Sequence, residues 1–288
     1  VSFSLGKGMH VINEIKITDI SRQFFDSASS LIQNYSVALI KVVTRGDFED
    51  GVLIGSGTLV DISNTLGVLT ANHVIEALPN DGEIGFVISK QLHKFTLNAR
   101  HLTKLTIAKG TTPSEGPDIG FIALPRETIG QMKALKSFYN LALRRERLAQ
   151  AVLEIDRGVW CICGFPDVET RDLGRLRGFD SVRAFFCLCG YGGVRNSRQI
   201  GGFDYFDFDV SYNDQIQPPS SFGGVSGGGL WQVIIGQNEH GEIEPKETLL
   251  SGVAFYQSAI RDNVRTLICH GRNSVYSNVF DVVVNRFS

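Results

Sequence analysis

The chain has 288 residues, a length that fits two domains or one large one. Hydrophobic residues make up 43% and charged residues 20% of the sequence, a composition that excludes a disordered chain and is typical of a globular protein. The formal net charge is -2 and no run of about 18 apolar residues occurs, so we expect neither nucleic acid nor a membrane among the partners.

The first half of the chain is predicted to begin with a helix and to continue as strands. Residues 17–33 have the apolar spacing of a helix, which Asp19 or Ser21 could cap. From Ser36 onward, apolar runs alternate with turn residues, a pattern typical of β-structure. Six strands are predicted, at residues 36–44, 51–63, 65–71, 84–89, 93–108 and 118–125.

The second half is predicted to be a further set of strands. A loose apolar stripe over residues 127–150 predicts a helical linker before it. Strands follow at residues 158–166, 181–190, 203–211, 230–235 and 248–258, with a last segment near 275–284. The sequence therefore predicts an all-β fold with an N-terminal extension and helix (1–33), a first β unit (34–126), the helical linker (127–150) and a second β unit (151–288).

Three short segments carry residue types that work together in nucleophilic catalysis. His73 ends the run TANH, directly after a predicted strand. Asp118 opens an apolar strand, and Ser226 lies among glycines in the run GVSGG. Each segment alone is more typical of a turn, a cap or a core position. Their occurrence together, in this order, is specific.

The chemistry explains why these three residue types belong together. A serine hydroxyl is a poor nucleophile until a neighbouring imidazole removes its proton. The imidazole needs a carboxylate that fixes its tautomer and stabilises its charged form. Glycines beside the serine allow backbone N–H groups to point into a hole that holds a developing oxyanion. His73, Asp118 and Ser226 are therefore the candidate catalytic residues.

In these segments the sequence resembles the chymotrypsin-like (trypsin-fold) serine proteases, closest in style to bacterial trypsin-like and HtrA-type peptidase domains. The matching motifs are T-A-x-H ending at His73, D-I-x-x-I-x-L beginning at Asp118 and G-x-S-G-G around Ser226, in the family's order. The run GFP at 164–166 also matches a strand end that often opens the family's second barrel. The resemblance covers residues 34–285.

The resemblance implies two six-stranded antiparallel β-barrels packed face to face, with the active site in the cleft between them. It implies an oxyanion hole made by the N–H groups of Gly224 and Ser226. It also implies that segment 251–257 lines the primary pocket and pairs with substrate as an added strand. The candidate substrate-binding residues are Ser220, Phe255, Tyr256 and Gln257.

The sequence departs from the family at positions that bear on activation and specificity. Val225 precedes the serine where digestive members carry an aspartate that pairs with a new N-terminus, so we expect no activation by that route. Ser220 stands where trypsin-type members place a pocket aspartate, which argues against basic specificity. Phe255 and Gln257 replace small residues of the pocket wall, which favours small or apolar substrate side chains.

Two functions from different classes fit these residues. The first is a serine endopeptidase that hydrolyses a peptide or protein substrate through an acyl-enzyme, with no cofactor and no metal. The second is a latent or regulatory protease-fold module that binds a partner as a scaffold or is switched on by an activating protein partner. The full set of His73, Asp118 and Ser226 favours an enzyme, since a scaffold needs none of them.

A competing fold uses the same serine. The run GVSGG also satisfies the G-x-S-x-G elbow of α/β-hydrolases, with Asp262 and His270 following in the required order. That fold needs a helix directly after the serine, whereas the run GGGLWQVII has a strand pattern.

The cysteines bear on location and on metal binding. Five cysteines in two C-x-C pairs and a single residue make a poor disulfide framework, and residues 1–30 lack a secretory signal pattern. We therefore expect the protein in the reducing cytoplasm, with a mature secreted form left open.

A zinc site would form if the strands that carry the two C-x-C pairs were neighbours, but core packing is favoured. The four cysteines are Cys161, Cys163, Cys187 and Cys189. Segment 203–209 could bind calcium together with Asp214, but a β-strand is the favoured interpretation of this segment.

Overall fold

The N-terminal helix begins directly after Ser21, one of its two predicted capping residues. The computed structural model describes residues 2–3, 15–16, 20–45, 48–88, 95–150, 154–172, 183–213 and 217–288. Helix α1 (Arg22–Gln33) starts after Ser21, whose hydroxyl accepts the N–H of Phe24. Residues 17–19 of the predicted helix lie outside the described residues. Phe24, Ala28 and Ile32 form the buried face of α1.

An antiparallel sheet forms the first half. Its strands are β1 (Ser36–Arg45), β2 (Phe48–Ile62), β3 (Thr65–Thr70), β4 (Glu83–Val87), β5 (Thr96–Asn98), β6 (Thr103–Lys109) and β7 (Asp118–Ala123). They are hydrogen-bonded in the order β5-β4-β1-β2-β3-β7-β6. The short helix α2 (Asn72–Ala77) follows β3 directly.

The prediction of a closed six-stranded barrel is not confirmed for this half. The predicted strand 93–108 is interrupted by the 3₁₀ turn Ala99–His101, which separates β5 from β6. These two strands are the edges of the sheet, and within the described residues no ladder joins them. The edges are therefore connected by the chain itself rather than by hydrogen bonds between strands.

The second half closes into a six-stranded antiparallel barrel. Its strands are β8 (Val159–Gly164), β9 (Leu188–Ile200), β10 (Phe203–Ser211), β11 (Gly229–Gln237), β12 (Ile243–Gln257) and β13 (Val264–His270). The ring runs β8-β9-β10-β13-β12-β11 and returns to β8. Sequence analysis missed β13, which completes the ring between β10 and β12.

The linker and the C-terminal segment also differ from the predictions. The linker contains two helices, α3 (Arg126–Lys133) and α4 (Ala142–Gln150), rather than one. Between them, Tyr139–Asn140 pairs in parallel with β2.

The segment predicted as a strand near 275–284 is helical. A π-helical turn (Ser274–Val279) continues into helix α5 (Phe280–Phe287). The buried residues Val275, Val279 and Val283 recur every four positions, so helical packing overrides the strand preference of these β-branched side chains.

Aromatic side chains join the two halves. The Trp231 ring of β11 stacks on Tyr35 with centroids 5.5 Å apart and meets Tyr139 edge-on at 5.2 Å. These residues belong to, or pack against, a core that also contains Leu69 of β3 and Val253 of β12. The two halves thus share a core. Among the described residues, no helix combines the length and apolar character needed to cross a membrane.

Candidate active site

His73 and Asp118 are brought together by neighbouring strands of the first half. Thr70 at the end of β3 pairs with Gly120 of β7, so His73 in the first turn of α2 lies beside Asp118 at the start of β7. The Asp118 carboxylate accepts the His73 backbone N–H at 2.9 Å and lies 2.5 Å from His73 Nδ1. An Nδ1–H donor to the carboxylate leaves Nε2 as the free base.

The pKa of Asp118 lies below its ordinary range. Burial alone would raise it, but the hydrogen bonds from the His73 ring and backbone, with the charge of His73, outweigh that effect. Asp118 is therefore held as a carboxylate that can stabilise an imidazolium.

A second histidine contacts the other side of Asp118. The backbone N–H of Asp118 donates to Nε2 of His270 at 2.9 Å. The His270 ring is fully buried, with Tyr205 and Phe255 at centroid distances of 5.1 and 4.8 Å. Burial lowers the pKa of His270 to about 4, against the opposing effect of the Asp118 charge. His270 is therefore a neutral acceptor that fixes the Asp118 backbone.

Sequence analysis did not predict the contact of His270 with Asp118, because β13 was missed and nothing local marks this contact. The α/β-hydrolase alternative is wrong. Ser226 is followed by strand β11 rather than a helix, and His270 contacts Asp118 rather than the serine loop.

Ser226 lies in a loop that the first half holds in place. Ser56 of β2 donates its N–H to the Ser226 carbonyl at 2.8 Å. The Ser56 hydroxyl donates to the Gly224 carbonyl at 2.7 Å and accepts the N–H of Phe165 at 2.8 Å. The buried Ser56 thus connects three segments at one point. Its sequence signal, a serine between two glycines in β2, was not singled out.

The Gly224 backbone fits the predicted oxyanion hole. Gly224 has φ +84°, and a Cβ atom there would meet the Phe165 carbonyl oxygen at 2.5 Å, so only glycine fits. The carbonyl of Gly223 accepts the N–H of Asp167 at 2.7 Å. Since C=O and N–H of a trans peptide point in opposite directions, the Gly224 N–H is turned away from Asp167. Within the described part of the chain, the N–H groups of Gly224 and Ser226 have no hydrogen-bond acceptor.

The loop and the histidine pack on the same short stretch of β2. A Cβ atom on Gly55 would lie 2.6 Å from Val74 and 3.0 Å from the Ser226 carbonyl oxygen. Val74, which follows His73, and the Ser226 carbonyl therefore both border the space that a side chain at position 55 would fill. The described structure contains no hydrogen bond between Ser226 Oγ and the His73 ring, a contact that is often long in a substrate-free enzyme.

A cavity of about 160 Å³ opens beside Ser226. The predicted residues Phe255, Tyr256 and Gln257 line it. Its other walls are apolar and come from Phe222, Val225, Ala254 and Leu267. Ser220 is exposed and is not among the lining residues. The polar side chain in the cavity wall is that of Gln257 instead of Ser220. Gln257 accepts the Phe222 N–H and donates to Ser221 Oγ.

The strand that lines the cavity has a free edge. The ladder between β11 and β12 ends at the pair Gly229–Val253. Beyond it, Ala254 exchanges hydrogen bonds with Gly227 and Gly228, while the other side of β12 pairs with β13. Among the described residues no strand pairs with this side of 255–257, so their backbone groups are available to an added strand.

The cysteines and acidic residues outside the site were candidates for metal binding. The two C-x-C segments do lie together: Cys163 Sγ is 3.3 Å from Cys189 Sγ and 3.5 Å from Cys187 Sγ. Across the described ranges, no group of three or more His, Cys, Asp or Glu side chains is arranged to hold a metal ion.

The calcium candidate is a strand in the structure. Within β10, Asp204 accepts from the backbone of Ser274, and Asp207 binds Arg198. Asp209 binds Arg195, while Asp214 lies outside the described residues.

No family model matches the chain, and no curated protein matches it. Among solved structures, the chain is similar to the crystal structure of the Rv3671c protease from M. tuberculosis in its active form. The two share 12% sequence identity and a TM-score of 0.44, over 93% of this chain and 92% of that chain.

Proposed function

We propose that this protein is a serine endopeptidase in which Ser226 is the nucleophile, His73 the general base and Asp118 the carboxylate that orients His73. The observation that carries the proposal is the two-point contact of Asp118 with His73, at 2.5 and 2.9 Å, next to a serine loop with two free N–H groups. A cap or a core histidine requires no such arrangement.

In the proposed reaction, Ser226 Oγ attacks the peptide carbonyl carbon as its proton passes to His73 Nε2. The N–H groups of Gly224 and Ser226 donate to the oxyanion, and Asp118 stabilises the imidazolium. His73 then protonates the leaving amine as the C–N bond breaks, which leaves an ester on Ser226. A water molecule, deprotonated by His73, hydrolyses that ester and restores the enzyme.

The test is covalent labelling of the full chain with a fluorophosphonate, which reacts with an activated serine. We expect one equivalent on the native chain and none on Ser226→Ala or His73→Ala. Ser30→Ala and His101→Ala change exposed residues of the same types and should label like the native chain. Labelling that persists in Ser226→Ala would overturn the assignment of the nucleophile.

A second candidate is a latent protease-fold module that an activating protein partner switches on. The described residues, in which no hydrogen bond joins Ser226 Oγ and the His73 ring, fit this module as well as a substrate-free active enzyme. The same labelling experiment distinguishes the two candidates. A latent module reacts with the fluorophosphonate only after a partner is added, whereas the active enzyme reacts without one.

A further inference from the structure

A cationic side chain, Arg265, lies on the inner face of the second barrel and contacts Gln257 of the cavity wall. Arg265 of β13 is paired directly with Val210 of β10, which is buried. Leu267, two residues further along β13, lines the cavity. Because residues i and i+2 of a strand share a face, Arg265 lies on the cavity side of β13.

Arg265 is joined to the cavity wall by one contact. Its Nη1 donates to Oε1 of Gln257 at 2.6 Å, and Gln257 lines the cavity. Gln257 Oε1 also accepts the Phe222 N–H, and its Nε2 donates to Ser221 in the segment that leads to Ser226. The guanidinium is thus connected to the serine loop through a single side chain.

The charge of Arg265 is not neutralised by the described residues. Its Nε atom is buried without a hydrogen-bond partner, and the described part of the chain supplies no carboxylate for it. Asp209 is the acid closest along the pairing of β10 with β13. It lies on the opposite face and is bound by Thr266 and Arg195. A buried guanidinium donor without an acceptor is costly, and a carboxylate is its best-matched acceptor.

We propose that Arg265 is a specificity-determining residue that selects an acidic substrate side chain, aspartate or glutamate, on the amino side of the scissile bond. The inference rests on the proposed function, because it concerns the pocket beside Ser226. The apolar walls enclose the methylene groups of the substrate side chain, and the guanidinium fork donates hydrogen bonds to its carboxylate. It replaces the sequence-based expectation of a small or apolar side chain, which followed from Phe255 and Gln257 alone.

The experiment compares peptidyl phosphonate esters that differ only in this side chain: glutamate, its neutral isostere glutamine, and leucine. We expect the native chain to react with the glutamate ester at a second-order rate about 10- to 100-fold above that of the glutamine ester. In Arg265→Gln the glutamate rate should fall to the glutamine rate, while the leucine rate stays within about twofold of native. Arg265→Lys, which keeps the charge without the fork, should keep part of the preference.

Arg261→Gln is the matched control, since it removes an exposed arginine from the neighbouring turn and should leave all three rates unchanged. Equal rates for glutamate and glutamine on the native chain would overturn the specificity, as would an equal loss of all three rates in Arg265→Gln. Labelling by a general fluorophosphonate distinguishes a wrong specificity from a wrong proposed function, because this probe reacts with any activated serine. If that probe does not react with the native chain, the serine is not activated and the specificity falls with it.

Discussion

Asp118 is in contact with two histidines, and the two imidazoles lie in opposite environments. The His73 side chain is 47% exposed and faces the carboxylate, whereas His270 is fully buried among aromatic rings and faces the backbone N–H. Because burial disfavours the charged form, His270 stays neutral and acts as an acceptor. The comparison shows that exposure and the atom contacted, rather than residue type, distinguish the proposed general base from a positioning group.

The largest expected effect comes from removing the charge on the His73 side alone. The substitution Asp118→Asn keeps the backbone N–H that His270 accepts. It removes the negatively charged carboxylate that orients the His73 ring. We expect kcat to fall by about 10⁴-fold, the loss known for this change in the general template of such triads. Steady-state hydrolysis of a peptide ester measures it. Asp26→Asn, an exposed acid on α1, should leave kcat unchanged, and a loss under tenfold for Asp118→Asn would contradict the assigned role.

The role of the buried His270 is tested through the pH dependence of the free energy of unfolding. The pKa of His270 is about 4 in the folded protein, below its ordinary value of 6.5. Between these values the unfolded chain binds a proton that the folded chain does not, so stability falls as pH drops from 6.5 to 4. The full loss is about 3 kcal/mol. The lowered pKa of Asp118 acts in a lower window, since its contribution is lost only as pH falls below its ordinary value of 3.8.

Urea unfolding at several pH values measures this loss, with His270→Phe as the variant. The phenyl ring keeps the aromatic packing and cannot titrate, so the slope between pH 6.5 and 4 should become shallower than that of the native chain. At pH 7 the variant should be less stable by about 1 to 3 kcal/mol, because the Asp118 N–H loses its acceptor. His240→Gln removes an exposed imidazole and should keep the native slope. An unchanged slope in His270→Phe would show that His270 does not titrate as described.

The smallest expected effect comes from a residue that reaches Ser226 without touching Asp118. Ser56→Ala leaves the Gly224 carbonyl and the Phe165 N–H without their hydroxyl partner. We expect kcat to fall by about tenfold, less than the loss of an oxyanion donor itself, with KM nearly unchanged. The slope of stability against pH should stay native, since His270 is not affected. Ser197→Ala, an exposed serine of β9, is the control, and full activity in Ser56→Ala would exclude a role for this contact.

Parts of the site and fold with a local signal were predictable. The three catalytic candidates lie in short runs whose residue types indicate catalysis, an assignment that stays a prediction, and α1 begins after its predicted cap at Ser21. The C-terminal helix was not predictable in this way, because its Val and Phe residues favour a strand locally while packing on the core makes it helical. Strand β13 was missed for a similar reason, since polar and apolar residues alternate only partly over 264–270.

The sequence by itself determined the mainly β architecture and the residues that are proposed to perform the chemistry, because strand periodicity and catalytic motifs are local properties. Tertiary structure alone decided that the described strands of the first sheet form no closed ring, that His270 supports Asp118, that Ser56 holds the serine loop and that Arg265 contacts Gln257. Each of these depends on a pairing between residues far apart in the chain. Such pairings are set by how strands and side chains pack, which no local pattern encodes.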